Sequence, residues 1–565
     1  MHFIALTRHP IDKEYQMKKY PLNDIPYFSR FCDMIDGFAS LYGDSPALSW
    51  FTRKQEKQTV SFNQLREDVY HLQAEMIRRG LAGKHLAIVS ENSYEWLLVY
   101  FAATYCGSVA ICVDIEQSEE TILQMLETAD TDAVFHSSAY RDICSKFAGE
   151  TVPTFIMGVE TSDRPTVREM IASGKAALAE GQQLDLRQQV TPDHTASIVF
   201  TSGTTNQAKL VMLSQSAILT NAGDAMANVK TGNTVFTALP FYHTYGLTCA
   251  VIGMLLPGSQ VFINGNLKTM MRDLLLSQAH TVLTVPLVLE TIHNRIWATA
   301  EENGKADGLR TLLKLKKMQF SLGIRSCGKT LDALRTKILG NVQLIICGGA
   351  RMDPMISEEF HYLGISVIQG YGITECAPLV SVNRNLANKW DSVGLVSAHS
   401  EVKLVDGEIL VRGKNLMQGY YKQPELTDES MMDGWFCTGD LGEIDKDGFL
   451  YITGRKKNLI VLKNGKKISP EKLEEKLKQI PLVQDVMVYG TSGSNVTDDV
   501  QVAASIYPDR ERTEGMTNYE ILEQLQAAVN KINDNLPIYQ QIQMVTIREQ
   551  EFSKTSLQKI KRHLS

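Results

Sequence analysis

Residues 201–209 read TSGTTNQAK, a run of hydroxyls and a glycine ending in a lysine, directly after the apolar run Ala196-Ser197-Ile198-Val199-Phe200. A buried strand that empties into a Ser/Thr/Gly loop and then a lysine suits the holding of a polyphosphate. Gly203 lets the backbone turn its N–H groups toward an anion. The hydroxyls of Thr201, Ser202, Thr204 and Thr205 can donate hydrogen bonds, and Lys209 supplies positive charge. Taken alone, the same cluster also describes a solvated turn. Its companions downstream weigh against that: LPFYH at 239–243, GYGITE at 370–375, WFCTGD at 435–440, GRKKN at 454–458 and FSKTSLQKIKR at 552–562. Gly348-Gly349-Ala350 closes an apolar run, and such strand ends are where ligands sit in α/β sheets. His243 lies in a stretch, Thr231 to Leu267, without a single Asp, Glu, Lys or Arg. A lone histidine in such surroundings is usually a satisfied core residue.

These residues need a scaffold, and the first 390 residues spell one out. Short apolar runs alternate with amphipathic stretches such as Phe62–Arg79 and Ser118–Thr128. The runs include HLAIVS (85–90), SVAICV (108–113), DAVFHS (132–137), TVFTALP (234–240), SQVFIN (259–264), HTVLTVP (280–286) and NVQLIICGG (341–349). Strands separated by helices predict an α/β fold with largely parallel sheets. From about residue 400 closely spaced strands and turns predict a β-rich subdomain, with Asp447-Gly448 as a hairpin turn. Ser469-Pro470-Glu471 reads as a helix start with serine as the cap. Helix 470–479, strands 484–489 and 500–507, helix 518–533 and strand 541–547 then predict a small α+β domain. The boundary falls near Lys457, giving an N-terminal domain of 1–456 and a C-terminal one of 457–565.

The chain has 565 residues, too many for one ordinary core, and 44% hydrophobic with 21% charged residues is ordinary for a globular protein. A formal net charge of −7 gives no electrostatic case for nucleic acid. The nine cysteines are scattered without a C-x-x-C pair, which disfavours a disulfide framework and a structural zinc site and fits a reducing, cytoplasmic setting. The opening MHFIALTRHPIDKEYQMKKYP lacks a basic segment followed by an apolar stretch, so no secretory signal is expected. Trp96 to Val113 is 18 residues without a charge, but Gly107 and Ser108 interrupt it. It reads as a buried helix (93–105) and a buried strand (109–114) rather than a membrane span, and a soluble protein is expected.

Together and in this order, the motifs resemble those of the adenylate-forming superfamily of acyl-CoA synthetases, adenylation domains and luciferases. The resemblance implies that 201–209 hold the β- and γ-phosphates of ATP, that Tyr371 and Gly372 with Gly349 and Ala350 line the adenine pocket, that Thr374 binds phosphate and that Glu375 holds Mg²⁺. It assigns Asp440 to the ribose hydroxyls and Arg455 to the ribose or α-phosphate. His243 becomes a neighbour of the substrate, Gly465 a neighbour of the pantetheine arm of CoA, and Lys559 the lysine that enters the site for adenylation. Asn206 and Leu210 stand where the family usually has glycine, Ala208 where it has proline and Gln215 where it has histidine. Likewise Ser553 replaces a frequent proline and Gln558 a frequent glycine. In the family a small, mobile C-terminal domain rotates between two half-reactions about a hinge, here Lys457.

The extra helical block over 287–340 resembles the long-chain fatty acyl-CoA synthetase branch, so a medium- or long-chain fatty acid is the expected substrate, with ATP, Mg²⁺ and CoA. The phosphopantetheine of an acyl carrier protein is the alternative acceptor, a stand-alone adenylation enzyme a second alternative, and peripheral membrane contact is compatible with the basic tail. A rival class also stands in the sequence. Residues 323–330, GIRSCGKT, match the P-loop pattern with Lys329 as its lysine, but the preceding LLKLKKMQFS is helical in period where that motif needs a strand.

Overall fold

The computed structural model describes residues 22–158, 164–201, 209–322, 335–462, 465–492, 500–554, 560 and 562. Two compact units emerge: residues up to Glu401 together with Arg412–Gly434, and Val402–Val411 together with the chain from Trp435 onward.

The larger unit contains two sheets. In a nine-stranded sheet, strands Ser366–Gly372, Leu344–Cys347, Thr281–Thr284, Thr234–Thr237, Gln260–Ile263 and Pro46–Phe51 lie side by side and parallel, with antiparallel strands at both edges. In a seven-stranded sheet, Thr195–Thr201, Val109–Cys112, His85–Val89, Ala133–His136 and Thr154–Ile156 are parallel, while Lys209–Ser214 and Gly419–Tyr420 add an antiparallel edge. Central strands such as Leu344–Cys347 are buried throughout. Their unbroken apolar runs are what parallel strands covered on both faces require.

Helix Tyr94–Tyr105 shows why the uncharged 96–113 stretch is core. Ser93 caps it by accepting from the Trp96 N–H, and eleven of its twelve residues are buried. Gly107 then turns the chain at φ +78° into strand Val109–Cys112. A helix apolar all round belongs inside, and among the described residues no helix is long and apolar enough to cross a membrane. Helix Ala306–Ser321 occupies the place before the P-loop-like residues where a P-loop requires a strand. Residues 323–330 themselves lie outside the described residues.

In the smaller unit, strand Val483–Ser492 pairs antiparallel with Val500–Pro508, which pairs parallel with Met544–Ile547. Helices Pro470–Lys478 and Asn518–Asn533 bury Leu473, Leu477, Ile521, Leu525 and Val529 in its core. The last strand is shorter than the expected 541–547. Its leading residues are held by the end of the preceding helix, Ile542 N–H donating to Asn533 Oδ1 at 2.9 Å. Ser469 begins helix Pro470–Lys478 without capping it: the hydroxyl donates to Thr453 O at 2.7 Å instead. Gly454 permits this approach, since a Cβ there would lie 2.3 Å from Ser469 Oγ. Asp447-Gly448 does form the hairpin turn, with Asp445 Oδ1 accepting from the N–H groups of Asp447 and Phe449.

Candidate active site

Strand Ser366–Gly372 carries Tyr371 and Gly372 within it, because both pair with strand Leu379–Val382. A Cβ on Gly372 would stand 2.1 Å from Pro378 O, so only glycine lets the two backbones meet. Beyond it, Thr374–Cys376 makes a single 3₁₀ turn that holds Thr374 and Glu375 half-buried. The Glu375 carbonyl accepts from Met417 N–H at 2.8 Å. Its carboxylate oxygen Oε1 accepts from the Tyr420 hydroxyl at 2.9 Å.

Tyr420 is 3% exposed and belongs to the edge strand of the other sheet, opposite Val211. Lys209 lies two residues earlier on the same face, where a diagonal cross-strand neighbour reaches. Its ammonium lies 4.8 Å from the Tyr420 ring centroid. Lys209 and Glu375, 166 residues apart in sequence, thus meet across one tyrosine that sequence reasoning did not single out. GYYKQPE (419–425) carried no sign of it beyond a turn before a proline-started helix. Burial first, then the Glu375 charge, push the Tyr420 phenol well above its usual pKa and keep it a proton donor. Thr201 ends its strand paired with Lys209, while Ser202, Gly203, Thr204 and Thr205 lie outside the described residues.

Gly372→Ala should therefore lower the melting temperature, overpacking of this kind costing about 1–3 kcal/mol. It should also depress activity through the displaced 374–376 turn. Thermal melting beside an activity assay checks both, and an unchanged melting curve would contradict the 2.1 Å approach.

At the carboxyl edge of the nine-stranded sheet, Gly348 is buried and Gly349 turns at φ +89°, with Gly349 and Ala350 half-buried. Gly348 packs on Tyr245, whose ring carbon Cζ would stand 3.2 Å from an added Cβ. The Tyr245 hydroxyl donates to Ile346 O at 3.0 Å and Thr284 O at 3.3 Å, stitching the loop over adjacent strand ends. Tyr245 opens a π-helical segment to Gly253. His243, half-buried, lies with its ring 4.7 Å from that of Tyr242. Beside these strand ends is a small apolar cavity, lined in part by Ala238, Thr284, Leu289, Ile292 and Ile345.

Asp440 sits inside strand Trp435–Ile444, directly opposite Arg455 of strand Leu450–Arg455. Asp440 is 3% exposed and its Oδ1 meets Arg455 Nε at 2.7 Å. Lys456 pairs with Glu408 at 2.6 Å, Lys457 lies in the 3₁₀ turn Lys456–Asn458, and Asn458 donates to Glu471 Oε1 at 2.6 Å. Gly465 turns at φ +77° between strands Ile460–Val461 and Lys467–Ile468. Lys559 lies outside the described residues, but both its flanks are tied down. Lys554 pairs with Asp485 at 2.6 Å and bridges to Ile560, and Arg562 pairs with Glu474 and donates to Val488 O at 2.9 Å.

The 375 carboxylate fits a magnesium ion. Mg²⁺ takes one or two carboxylates and leaves its other positions to phosphates and water. Glu375 offers a half-buried oxygen pair of which Oε1 is oriented by one neutral donor.

Residues 36–421 match the family model described as AMP-binding enzyme, and residues 457–565 match that of the AMP-binding enzyme C-terminal domain. A long-chain-fatty-acid–CoA ligase of Mycobacterium bovis is 26% identical over 489 residues, covering 80% of this chain and 80% of its own. One from Escherichia coli is 24% identical over 539 residues, covering 87% and 89%. The solved o-succinylbenzoate CoA synthetase of Bacillus subtilis, in complex with its acyl-adenylate intermediate, shares the fold with a TM-score of 0.71 at 20% identity, covering 94% of this chain and 97% of that one.

Proposed function

Because the chain belongs to the AMP-binding enzyme family, we propose that it joins a medium- or long-chain fatty acid to the thiol of CoA through an acyl-adenylate. The observation that carries this reading is the pairing of the Lys209–Tyr420–Glu375 group with an apolar cavity in the same unit. One part presents opposite charges suited to a metal-bound triphosphate. The other presents apolar walls of the kind that suit an acyl chain.

A carboxylate cannot expel oxide, so its oxygen first attacks the α-phosphorus of ATP and the bond to pyrophosphate breaks. Charge gathers on the α-phosphate oxygens, and the cations Lys209 and Lys559 oppose it. Mg²⁺, when bound at Glu375, supplies Lewis-acid neutralisation of the phosphates. Thr374 holds phosphate, Tyr371 stacks on adenine against Gly372, Gly349 and Ala350, and Asp440 with Arg455 binds the ribose side. In the second step the thiol sulfur attacks the acyl carbon, AMP departs with the bonding pair, and the thiol proton passes to solvent. Gly465 borders the pantetheine there, His243 the acid, and Lys457 is the pivot between the steps. CoA is the proposed acceptor, with a carrier protein's phosphopantetheine as the chemically equal alternative. The proposed compartment is the cytoplasm. Exposed Leu315 and Met318 beside Lys314 and Lys317 on helix Ala306–Ser321 suit peripheral contact with an anionic lipid surface.

Pyrophosphate release across a panel of carboxylic acids, with and without CoA, tests the reading. Release should rise from acetate to the longer acids, and Leu289→Trp, which fills the cavity, should move the preference to shorter chains by roughly tenfold in kcat/KM. An unchanged chain-length profile in that variant would remove the cavity from the acid site.

A further inference from the structure

Oppositely charged groups placed close together in a partly buried site tend to pair and cancel one another. Lys209 and Glu375 are so placed, yet each meets Tyr420 instead. The ring offers its face to the ammonium, and the hydroxyl at its far end donates to the carboxylate. The tyrosine has little freedom to leave. Its N–H donates to Thr427 Oγ1 at 2.9 Å, Tyr421 N–H donates to Leu210 O at 2.8 Å, and Gln418 N–H to Met212 O at 2.9 Å. The same strand pairing that carries Lys209 therefore carries the residue that meets it.

We propose that Tyr420 is a positioning residue that keeps Lys209 and Glu375 apart, orienting the carboxylate for a metal-bound nucleotide while leaving the ammonium free for phosphate. The proposal rests on the nucleotide assignment of Lys209 and Glu375 above. A neutral donor on Oε1 fixes the carboxylate without spending its charge, whereas a lysine there would neutralise it. The π-face attracts the ammonium more weakly than a carboxylate would, so phosphate can draw Lys209 away.

Calorimetric titration with ATP, with and without Mg²⁺, reads the role without relying on turnover. Tyr420→Phe keeps the ring and removes the donor, so its affinity for MgATP should fall about tenfold while that for metal-free ATP stays within about twofold. Tyr420→Leu also removes the π-face and lets Lys209 close on Glu375, so both affinities should fall. In a Glu375→Gln background Tyr420→Phe should add nothing, since residues acting as one unit are not additive. Equal MgATP affinity in the parent and Tyr420→Phe overturns the positioning role. Should Tyr420→Phe fail to fold, Glu375→Gln with Tyr420 intact must by itself show the selective loss of MgATP binding, and parental affinity there overturns the proposal as well. A parent that binds MgATP but releases no pyrophosphate with any acid would remove the acid-activating function and leave this calorimetric result standing.

Discussion

Lys559→Ala is expected to lose acyl-adenylate formation by about 10²-fold or more while still converting supplied acyl-AMP to thioester. The adenylation step gathers negative charge at the α-phosphate, and a cation that meets it only in the transition state lowers that barrier selectively. The thioester step starts from a mixed anhydride that is already activated, so the same cation has no charge to stabilise there. Lys559 itself lies outside the described residues, but the chain on either side of it is anchored to the smaller unit. Ile560 packs with Phe552 beside Met487 and Tyr507, and Arg562 is held by Glu474, whose carboxyl burial raises even against the arginine. Separate single-turnover measurements of the two half-reactions read the effect. Adenylation at the parental rate would show that the tail lysine is not the cation this step uses.

How far the sequence could be read depended on whether an element's information is local. The parallel strands were legible because each is a short apolar run between turns, and Leu344–Cys347 or Thr281–Thr284 fall where such runs stand. Helix Asn518–Asn533 was legible for the same reason, its Thr517–Glu520 capping box marking its start. Strand ends were less so. Asp440 lies in a strand opposite Arg455 and Tyr371 in one opposite Ser381, and such pairing is set by partners the local pattern does not contain. The hydroxyl of Ser469 was misread as a cap because its actual partner, Thr453 O, becomes a neighbour only once Gly454 brings the backbones together. Tyr420 was out of reach for the deepest reason. Its hydroxyl meets a carboxylate 45 residues away, on a 3₁₀ turn beyond the end of a strand in the other sheet, and Tyr420 itself is held by a strand pair only two residues long.

Lys457→Pro is expected to separate the half-reactions in the opposite sense, lowering the thioester step by about 10²-fold while adenylation stays within several-fold of the parent. The residue lies between two anchors. Lys456 is tied to Glu408 of strand Glu408–Gly413, and Asn458 is tied to Glu471 of helix Pro470–Lys478. A rotation of the following α+β part against the preceding hairpin must therefore pass through Lys457, and it must break the Ser469–Thr453 hydrogen bond that spans the same junction. Proline fixes φ near roughly −65° and removes the N–H, so it stops the torsion that a pivot requires. The 3₁₀ turn Lys456–Asn458 already holds helical backbone there, so the ring is compatible with the present arrangement and penalises any other. Adenylation needs one orientation and survives if proline traps that one, whereas the thioester step needs a second. Single-turnover formation of acyl-AMP, followed by its consumption on addition of CoA, measures each in turn. Equal loss of both steps would mean that proline damages the fold, and loss of neither would mean that the chain pivots at another residue.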